Sequence, residues 1–526
     1  MSSRAKMGAI CAATALVLGG AYVTADSLDV VPGFLTLKPP LPRVQPFPNA
    51  PQLRLEPSAR AGFKNESDID PGIFRDLLRQ FSGDYRLKGT KFSVWIGDAS
   101  GDEMASIEPE TALPAASTTK LLTATAVMSQ LGPSARARTL TAWDAKNRKL
   151  YLIAGGDILL GAGADALDSA AGYAGLQTLA ADTVKGLASV QPNAGKSSQN
   201  GRGKNTRANV LQEKPYSLVL DTSWFGSETR SRAWKPDNYQ WAGLIQGMGI
   251  NTGKINPDQW GYQPDSAKAV GEAFAAALGV AAGTPPQSIT AEKSGLATTE
   301  NLDPTKPLPI VGKAQSGGKP TVVGIAQGAP LSQVTRVMLK ESDNTLAETL
   351  GRLVALHRGN KPTFADAGAA VMQSVKDLGI DLGTSKLAGC SGLSYDTHIS
   401  ARVLADVVRV TVDSKHPELH TITANLPVAA VDGTLKNSYG NTPAAGILRG
   451  KTGTLGISNA LAGTFVRNNE VFFYGLVISG YPEGGGGQTI GVKQMLFQGL
   501  LGGKTEFSGS DPKDKAQPAP ANPPQS

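Results

Sequence analysis

The sequence predicts a mixed α/β fold: a domain with an antiparallel sheet flanked by helices. A β-containing insert of one or two small domains is expected to interrupt the sequence of this domain. An apolar stripe at helical spacing covers residues 121–131 and stops at Gly132-Pro133, which predicts a buried helix. Two apolar runs, 460–466 and 471–479, are separated by four polar residues, which predicts a β-hairpin. At 526 residues, with 40% hydrophobic and 18% charged residues, the chain exceeds one hydrophobic core, so two or three domains are expected.

The predicted helix begins at the string Ser117-Thr-Thr-Lys120. If Ser117 lies in the first turn, Lys120 is on the same helix face, so its amine reaches the serine hydroxyl. The backbone N–H groups of that turn would point toward the reacting centre, where negative charge develops on a carbonyl oxygen. A serine three residues before a lysine is common by chance, so this string indicates a catalytic site only in combination with the two strings that follow.

A second string, Ser342-Asp343-Asn344, follows an apolar helical face that extends from Leu331 to Met338. Ser342 is predicted to relay a proton, and Asn344 is predicted to bond a substrate amide. Taken alone, such a run is more often a turn or a helix cap.

The third string, Lys451-Thr452-Gly453-Thr454, precedes the predicted hairpin and is expected on a strand edge that faces a cleft. A lysine and hydroxyl groups at such an edge suit a substrate carboxylate. These four residues, together with Asn344, form the predicted substrate-binding set. In this order, the three strings describe one serine acyl-transfer site.

With all three strings in place, the chain resembles the low-molecular-mass class C penicillin-binding proteins, which form a D-alanyl-D-alanine carboxypeptidase/endopeptidase family. The resemblance covers roughly residues 65 to 500. Beyond the three strings it is carried by Gly155-Gly156-Asp157, Leu220–Ser223 with Trp234, Leu331–Leu350, Ser391–Ser394, Leu426–Ala429 with Asp432–Thr434, and Ala460–Gly463.

The resemblance implies a penicillin-recognising serine acyl-transferase domain of the DD-peptidase/β-lactamase type. The implied activity is hydrolysis of the terminal D-Ala-D-Ala of peptidoglycan stem peptides through an acyl-serine intermediate on Ser117, which β-lactams would also acylate. Lys120 is the expected base, provided that burial and the nearby Lys451 charge lower its pKa, and Ser342 is the expected relay. The backbone N–H groups of Ser117 and Thr454 would form the oxyanion hole. Carboxypeptidase, endopeptidase and transpeptidase action share this intermediate, so the balance among the three stays open.

Two other functions would use the same strings. The first is a β-lactamase or esterase. A class A β-lactamase would place the strings closer together and add a Glu-x-x-x-Asn element, but Glu348 and Glu418 are the only glutamates between the second and third strings and neither has asparagine four residues on. The second is a catalytically silent cell-wall-binding protein whose insert and basic loop do the binding.

The spacing of the strings also predicts the domain organisation. About 220 residues separate Lys120 from Ser342, which is more than one helical subdomain needs. The DD-peptidase domain is therefore expected to comprise residues 63–135 and 326–505, with an insert of one or two domains at 136–325 and a flexible basic loop at about 189–214.

The two ends of the chain differ in composition from its body. Residues 1–25 combine Arg4 and Lys6 with an uncharged apolar stretch, which predicts a signal peptide or an N-terminal membrane anchor. Residues 26–62 form a predicted proline-rich linker, and residues 506–526 a predicted disordered tail. The body is therefore expected outside the cytoplasm, either secreted or anchored by its N-terminal segment.

Charge and rare residues limit the expected partners. The net charge of +7 suits anionic cell-wall polymers beside peptidoglycan stem peptides and β-lactam inhibitors; export and the lack of a recognisable module argue against nucleic acid. No cofactor or metal is expected, since the glutamate between His416 and His420 is misplaced for a zinc motif. Cys390 is the only thiol once the leader is cleaved. It follows Gly389 where relatives often have Asp-Gly, so any role of that acid is in doubt.

Overall fold

The computed structural model describes residues 67–190, 210–255, 261–481 and 485–509. The predicted leader, the proline-rich linker, most of the basic loop and residues 510–526 of the predicted tail lie outside the described residues.

Helices and strands alternate along the described chain. The strands are β1 (Lys91–Gly97), β2 (Glu103–Ile107), β3 (Leu113–Pro114), β4 (Arg136–Asp144), β5 (Lys149–Gly155), β6 (Asp157–Leu160), β7 (Ser217–Asp221), β8 (Met248–Ile250), β9 (Ser288–Ala291), β10 (Thr321–Pro330), β11 (His398–Ile399), β12 (Arg449–Leu455), β13 (Ser458–Arg467) and β14 (Glu470–Ser479). The helices are α1 (Pro71–Ser82), α2 (Lys120–Leu131), α3 (Leu176–Ser189), α4 (Val210–Glu213), α5 (Ser266–Ala282), α6 (Thr299–Leu302), α7 (Leu331–Glu341), α8 (Asn344–His357), α9 (Phe364–Lys376), α10 (Ala401–Val410), α11 (Thr421–Ala424) and α12 (Gly486–Leu500).

The first sheet is antiparallel throughout, with the strand order β12-β13-β14-β1-β2. The hairpin predicted from the two apolar runs is confirmed as β13 and β14, which pair Val466 with Val471 next to the turn. Asn468 and Asn469 close that turn with positive φ angles of 51° and 65°, a conformation that asparagine tolerates better than most residues. Strand β12 occupies one edge of the sheet, and this edge carries the third string.

Helices cover both faces of this sheet, because its central strands are apolar on both sides. On one face α1 and α12 enclose an aromatic cluster in which Phe74 meets Phe472 edge-on at 5.1 Å and Phe465 stacks on Phe472 at 5.2 Å. Helix α1 begins at the cap of Asp70, whose side chain accepts a hydrogen bond from the Gly72 N–H at 2.8 Å. On the other face, α10 packs against β14, and α2 and α8 lie in the same core. The predicted mixed α/β class with a helix-flanked antiparallel sheet is confirmed.

A second sheet, β10-β4-β5-β7-β9, is built from residues between the first two strings. Its strands β10, β4 and β5 pair antiparallel, and β5, β7 and β9 pair parallel, with α3 and α5 packed on the sheet. The insert is therefore β-containing, as expected. The predicted junction at 325–326 falls inside β10, and the division into domains stays a prediction.

Within the described part of the chain, no helix combines the length and the apolar character needed to cross a bilayer.

Candidate active site

Ser117 lies in a short 3-10 turn, Ala116–Thr119, that leads directly into α2. The preceding Ala116 has a φ of 48°, a left-handed conformation that costs energy for a residue with a Cβ. Two hydroxyls hold the turn: Thr118 Oγ1 donates to Ala115 O at 2.6 Å, and Thr119 Oγ1 donates to Ala116 O at 2.7 Å. The turn keeps Ser117 half-buried while its neighbours are fully covered.

Lys120 places its amine at the centre of the site. The side chain is fully buried, and Nζ donates to Ser117 Oγ at 2.9 Å, to Asn344 Oδ1 at 2.7 Å and to Ser391 O at 2.7 Å. Burial lowers the pKa of Lys120 to about 7, although the nearby carboxylates Glu348 and Asp343 favour the charged form. An amine in this state exchanges its proton close to neutral pH.

The second string forms the junction between α7 and α8. Ser342 ends α7 in a left-handed conformation, with φ 57° and ψ 35°, and Asp343 caps α8 by accepting from the Leu346 N–H at 2.9 Å. Asn344 accepts from Lys120, and its Nδ2 donates to Trp241 O in the insert at 2.8 Å. Within the described residues, the half-buried Ser342 hydroxyl has no hydrogen bond to these groups.

The third string lies on β12, whose free edge faces the Ser117 turn. A Cβ at Gly453 would lie 2.6 Å from Ala115 O and 3.1 Å from Ser117 N, so only glycine lets the strand come this close. Thr454, which follows Gly453 on this strand, is exposed, and Thr452 Oγ1 donates to Thr434 Oγ1 at 2.7 Å.

Lys451 differs from the prediction in one respect. Its side chain is fully buried, and Nζ donates to Thr452 O at 2.8 Å rather than pointing openly into a cleft. Burial and the charge of Lys120 lower the pKa of Lys451 well below its ordinary value. The repulsion between the two lysines was predicted to lower the pKa of Lys120. In the structure it lowers the pKa of Lys451, while the pKa of Lys120 is lowered chiefly by burial.

Comparison with known proteins places the chain in a family. A family model described as the D-Ala-D-Ala carboxypeptidase 3 (S13) family matches residues 76–259 and 309–485, which is more than half of the chain. The chain belongs to this S13 family. The family resemblance inferred from the three strings is thereby confirmed, and with it the assignment to the serine peptidases, which are hydrolases.

Individual relatives agree with the family. The chain is 33% identical over 267 residues to the carboxypeptidase DacB of Mycolicibacterium smegmatis, a match that covers 49% of this chain and 53% of that protein. It thus spans about half the length of this relative. It is 27% identical over 400 residues to a carboxypeptidase of Mycobacterium tuberculosis, covering 74% and 76% of the two chains.

A solved structure shows the same fold. Penicillin binding protein 4 (dacB) from Haemophilus influenzae superposes with a TM-score of 0.59 at 18% identity, covering 81% of this chain and 99% of that one. A second structure of that protein, complexed with a β-lactam, gives a TM-score of 0.54 at 19% identity.

The structure adds to the candidate site residues that the sequence did not assign to it. Ser391 contributes its main-chain carbonyl, Trp241 does the same from the insert, and Glu348 holds the loop that carries Ser391. Main-chain groups leave no residue signature, but Glu348 had a signal: it lies four residues before Arg352, and these two are the only Asp, Glu, Lys or Arg residues of α8. Among the described residues, no cluster of histidine, cysteine or acidic side chains is placed to hold a metal ion.

Proposed function

We propose that this S13 family member is a serine D-alanyl-D-alanine carboxypeptidase in which Ser117 is the nucleophile and Lys120 the general base. One observation carries the proposal: the buried Lys120 amine lies 2.9 Å from Ser117 Oγ, with a pKa lowered to about 7. An ordinary exposed lysine would be protonated at neutral pH and could not accept the serine proton.

The amine geometry supports this role by elimination. A neutral amine has two N–H donors and one lone pair, and two of its three neighbours, Asn344 Oδ1 and Ser391 O, can only accept. The two N–H groups therefore serve these oxygens, and the lone pair is left for the Ser117 hydroxyl proton. Proton transfer then needs no rotation of Lys120.

The reaction follows in two halves. Neutral Lys120 takes the Ser117 proton while Oγ bonds to the carbonyl carbon of the penultimate D-Ala. The tetrahedral intermediate collapses, its C–N bond breaks, and the terminal D-Ala leaves with a proton passed from Lys120 through Ser342. Lys120 takes a proton from water as the water oxygen bonds to the ester carbon. The bond between that carbon and Ser117 Oγ then breaks, Oγ receives the proton, and the shortened peptide leaves.

Strand β12 and Asn344 supply the substrate contacts in this proposal. The Ser117 and Thr454 N–H groups stabilise the oxyanion, and each such donor is typically worth about 3 kcal/mol in the transition state. The Thr452 and Thr454 hydroxyls and the buried Lys451 amine take the terminal carboxylate. A carboxylate bound there favours the charged form of Lys451 and so opposes the lowering of its pKa by burial. Asn344 uses one N–H for Trp241 O, so its second N–H remains to donate to the peptide.

The first test is acylation by benzylpenicillin, followed by intact mass over time. A one-to-one adduct that persists for many minutes in wild type and is absent in Ser117→Ala supports the proposal, and Lys120→Ala should abolish acylation. Release of D-Ala from a peptide ending in D-Ala-D-Ala then establishes carboxypeptidase action, and a cross-linked peptide dimer tests endopeptidase action.

The alternatives give different outcomes in the same experiment. An adduct that forms and clears within seconds would make the protein a β-lactamase. Strong binding to cell walls with no adduct would make it a silent binding protein and contradict the proposal.

The site of action follows from the family. Carboxypeptidases of the cell wall act on peptidoglycan outside the cytoplasm, in agreement with the predicted export. The finer assignments are proposals: that residues 1–25 serve as signal or anchor, that only this segment meets the membrane, and that basic residues of the insert bind anionic wall polymers. N-terminal sequencing of the mature protein and salt-dependent binding to isolated walls test them.

A further inference from the structure

The loop that contributes Ser391 O to the active site is held from two sides. Glu348 on α8 accepts the Cys390 N–H at 2.9 Å through Oε2 and the Ser391 N–H at 2.9 Å through Oε1. Thr123 on α2 donates through Oγ1 to Cys390 O at 2.7 Å. The peptide between Cys390 and Ser391 is thus bonded on both its N–H and C=O sides.

All of these groups are inaccessible to solvent. Glu348 is 1% exposed, and Thr123, Cys390 and Ser391 are fully buried. Hydrogen bonds in such surroundings are costly to leave unmade, since water cannot replace a missing partner. The loop therefore has little freedom to rotate its carbonyl groups.

We infer that Glu348 and Thr123 are positioning residues for the general base: they fix the Ser391 carbonyl, which takes one N–H of Lys120 and leaves the amine lone pair on Ser117. The inference rests on the proposed function, because the hydrogen bond from Lys120 to Ser391 O matters for catalysis only if Lys120 is the base. Thr123 lies three residues after Lys120 on the same helix. One helix turn therefore carries both the base and the hydroxyl that holds the loop of Ser391, whose carbonyl accepts from the base.

Glu348 has a second effect, through its charge. Burial raises the pKa of Glu348, whereas the two backbone N–H groups that its oxygens accept and the charge of Arg352 favour its carboxylate form. The negative charge of that carboxylate raises the pKa of Lys120 against the lowering by burial. The other groups that face this pair are Asp343 and Lys451 near Lys120, and Arg352 and Cys390 near Glu348. Position and charge can be separated by two different substitutions.

Thr123→Val tests position alone. It removes the hydroxyl donor at nearly constant volume and leaves every charge in place. The matched control is Thr125→Val on the same helix: Thr125 is equally buried, but its hydroxyl has no hydrogen-bond partner within the described residues. We expect the second-order rate constant for acylation by benzylpenicillin to fall about tenfold in Thr123→Val and to stay within about twofold of wild type in Thr125→Val.

Glu348→Gln tests the charge. A rate that depends on deprotonated Lys120 rises with pH through the pKa of that lysine. Without the Glu348 charge the ammonium form loses stabilisation, so the acid limb of the acylation profile should move to lower pH, while the plateau falls. A residue that merely stabilised the fold would lower the plateau without moving the limb.

The outcomes separate this inference from the proposed function. If wild type forms no adduct on Ser117, the proposed function itself fails. If wild type is acylated but Thr123→Val and Thr125→Val react equally fast, or the acid limb of Glu348→Gln is unmoved, the inference is wrong and the function stands. Should Glu348→Gln not fold, the threonine pair, with melting temperatures measured beside the rates, still decides the matter.

Discussion

Replacing Lys493 by methionine tests a buried charge that is linked through Asn459 to Thr454 of the third string. Lys493 lies on α12, is 6% exposed, and donates to Asn459 Oδ1. Asn459 Nδ2 in turn donates to Thr454 Oγ1 at 3.4 Å. Because this acceptor is a neutral amide, burial dominates and lowers the pKa of Lys493 from 10.5 to about 7.

The lowered pKa determines how stability depends on pH. Between about pH 7 and 10.5 the unfolded chain holds a proton at Lys493 that the folded chain lacks, so the free energy of unfolding rises with pH across this range. Below pH 7 both states are protonated, and the full cost of burying the ammonium is present. At 1.36 kcal/mol per pKa unit, the two values place about 2 kcal/mol of that rise between pH 7 and 9.

The assay is equilibrium urea unfolding of wild type and Lys493→Met at pH 7 and pH 9. Other groups, including Lys120 and Lys451, titrate in both proteins and cancel in the difference, as does any pH-independent change in packing. The free energy of unfolding should rise by about 2 kcal/mol more in wild type than in Lys493→Met. Lys376→Met, at an exposed position on α9, should follow wild type. Equal pH slopes for wild type and Lys493→Met would refute the reasoning.

Three further predictions concern the site and its supports. Gly453→Ala should slow acylation by about 100-fold, because its Cβ would lie 2.6 Å from Ala115 O and force β12 away from Ser117; an unchanged rate constant would contradict this close approach. Acylation of wild type by benzylpenicillin should rise about tenfold per pH unit below pH 7 and level off above it, since the pKa of Lys120 is lowered to about 7; a flat profile from pH 5 to 8 would argue against lysine as base. Gly351→Ala should destabilise the fold by about 1–3 kcal/mol, because the new Cβ would lie 2.1 Å from Cys390 Sγ. Thermal unfolding should show that the melting temperature recovers in the double variant Gly351→Ala/Cys390→Gly, which removes the clashing sulfur. It should not recover in Gly351→Ala/Thr125→Val, which leaves that sulfur in place.

The parts of the site that could be predicted from the sequence are those encoded by short spacing and side-chain chemistry. Ser117 and Lys120 are one helix turn apart, and the hairpin after Lys451 follows from two apolar runs and a polar turn. The Ser391 carbonyl could not be predicted in this way, because any residue type carries that group and only the tertiary fold brings it to Lys120. The burial of Lys451 was also missed, since residue type alone does not show that the side chain is covered rather than directed into the cleft.

The insert contacts helix α8 and its cap, and it also contacts the loop after Ser391, where Asn238 Nδ2 donates to Leu393 O at 3.1 Å and Ser394 Oγ donates to Ala233 O at 3.2 Å. Trp241 O accepts from Asn344, the Lys254 ammonium lies 3.6 Å from Asp343, and Arg352 donates to Phe225 O at 2.8 Å. All three contacts end on α8 or on its cap, and α8 also carries Glu348. A shift of the insert against α8 would therefore be transmitted to Asn344 and to the loop that holds Ser391 O, both of which bond Lys120. We therefore expect changes to the contacts between the insert and α8 to alter the rate of the acylation proposed for Ser117.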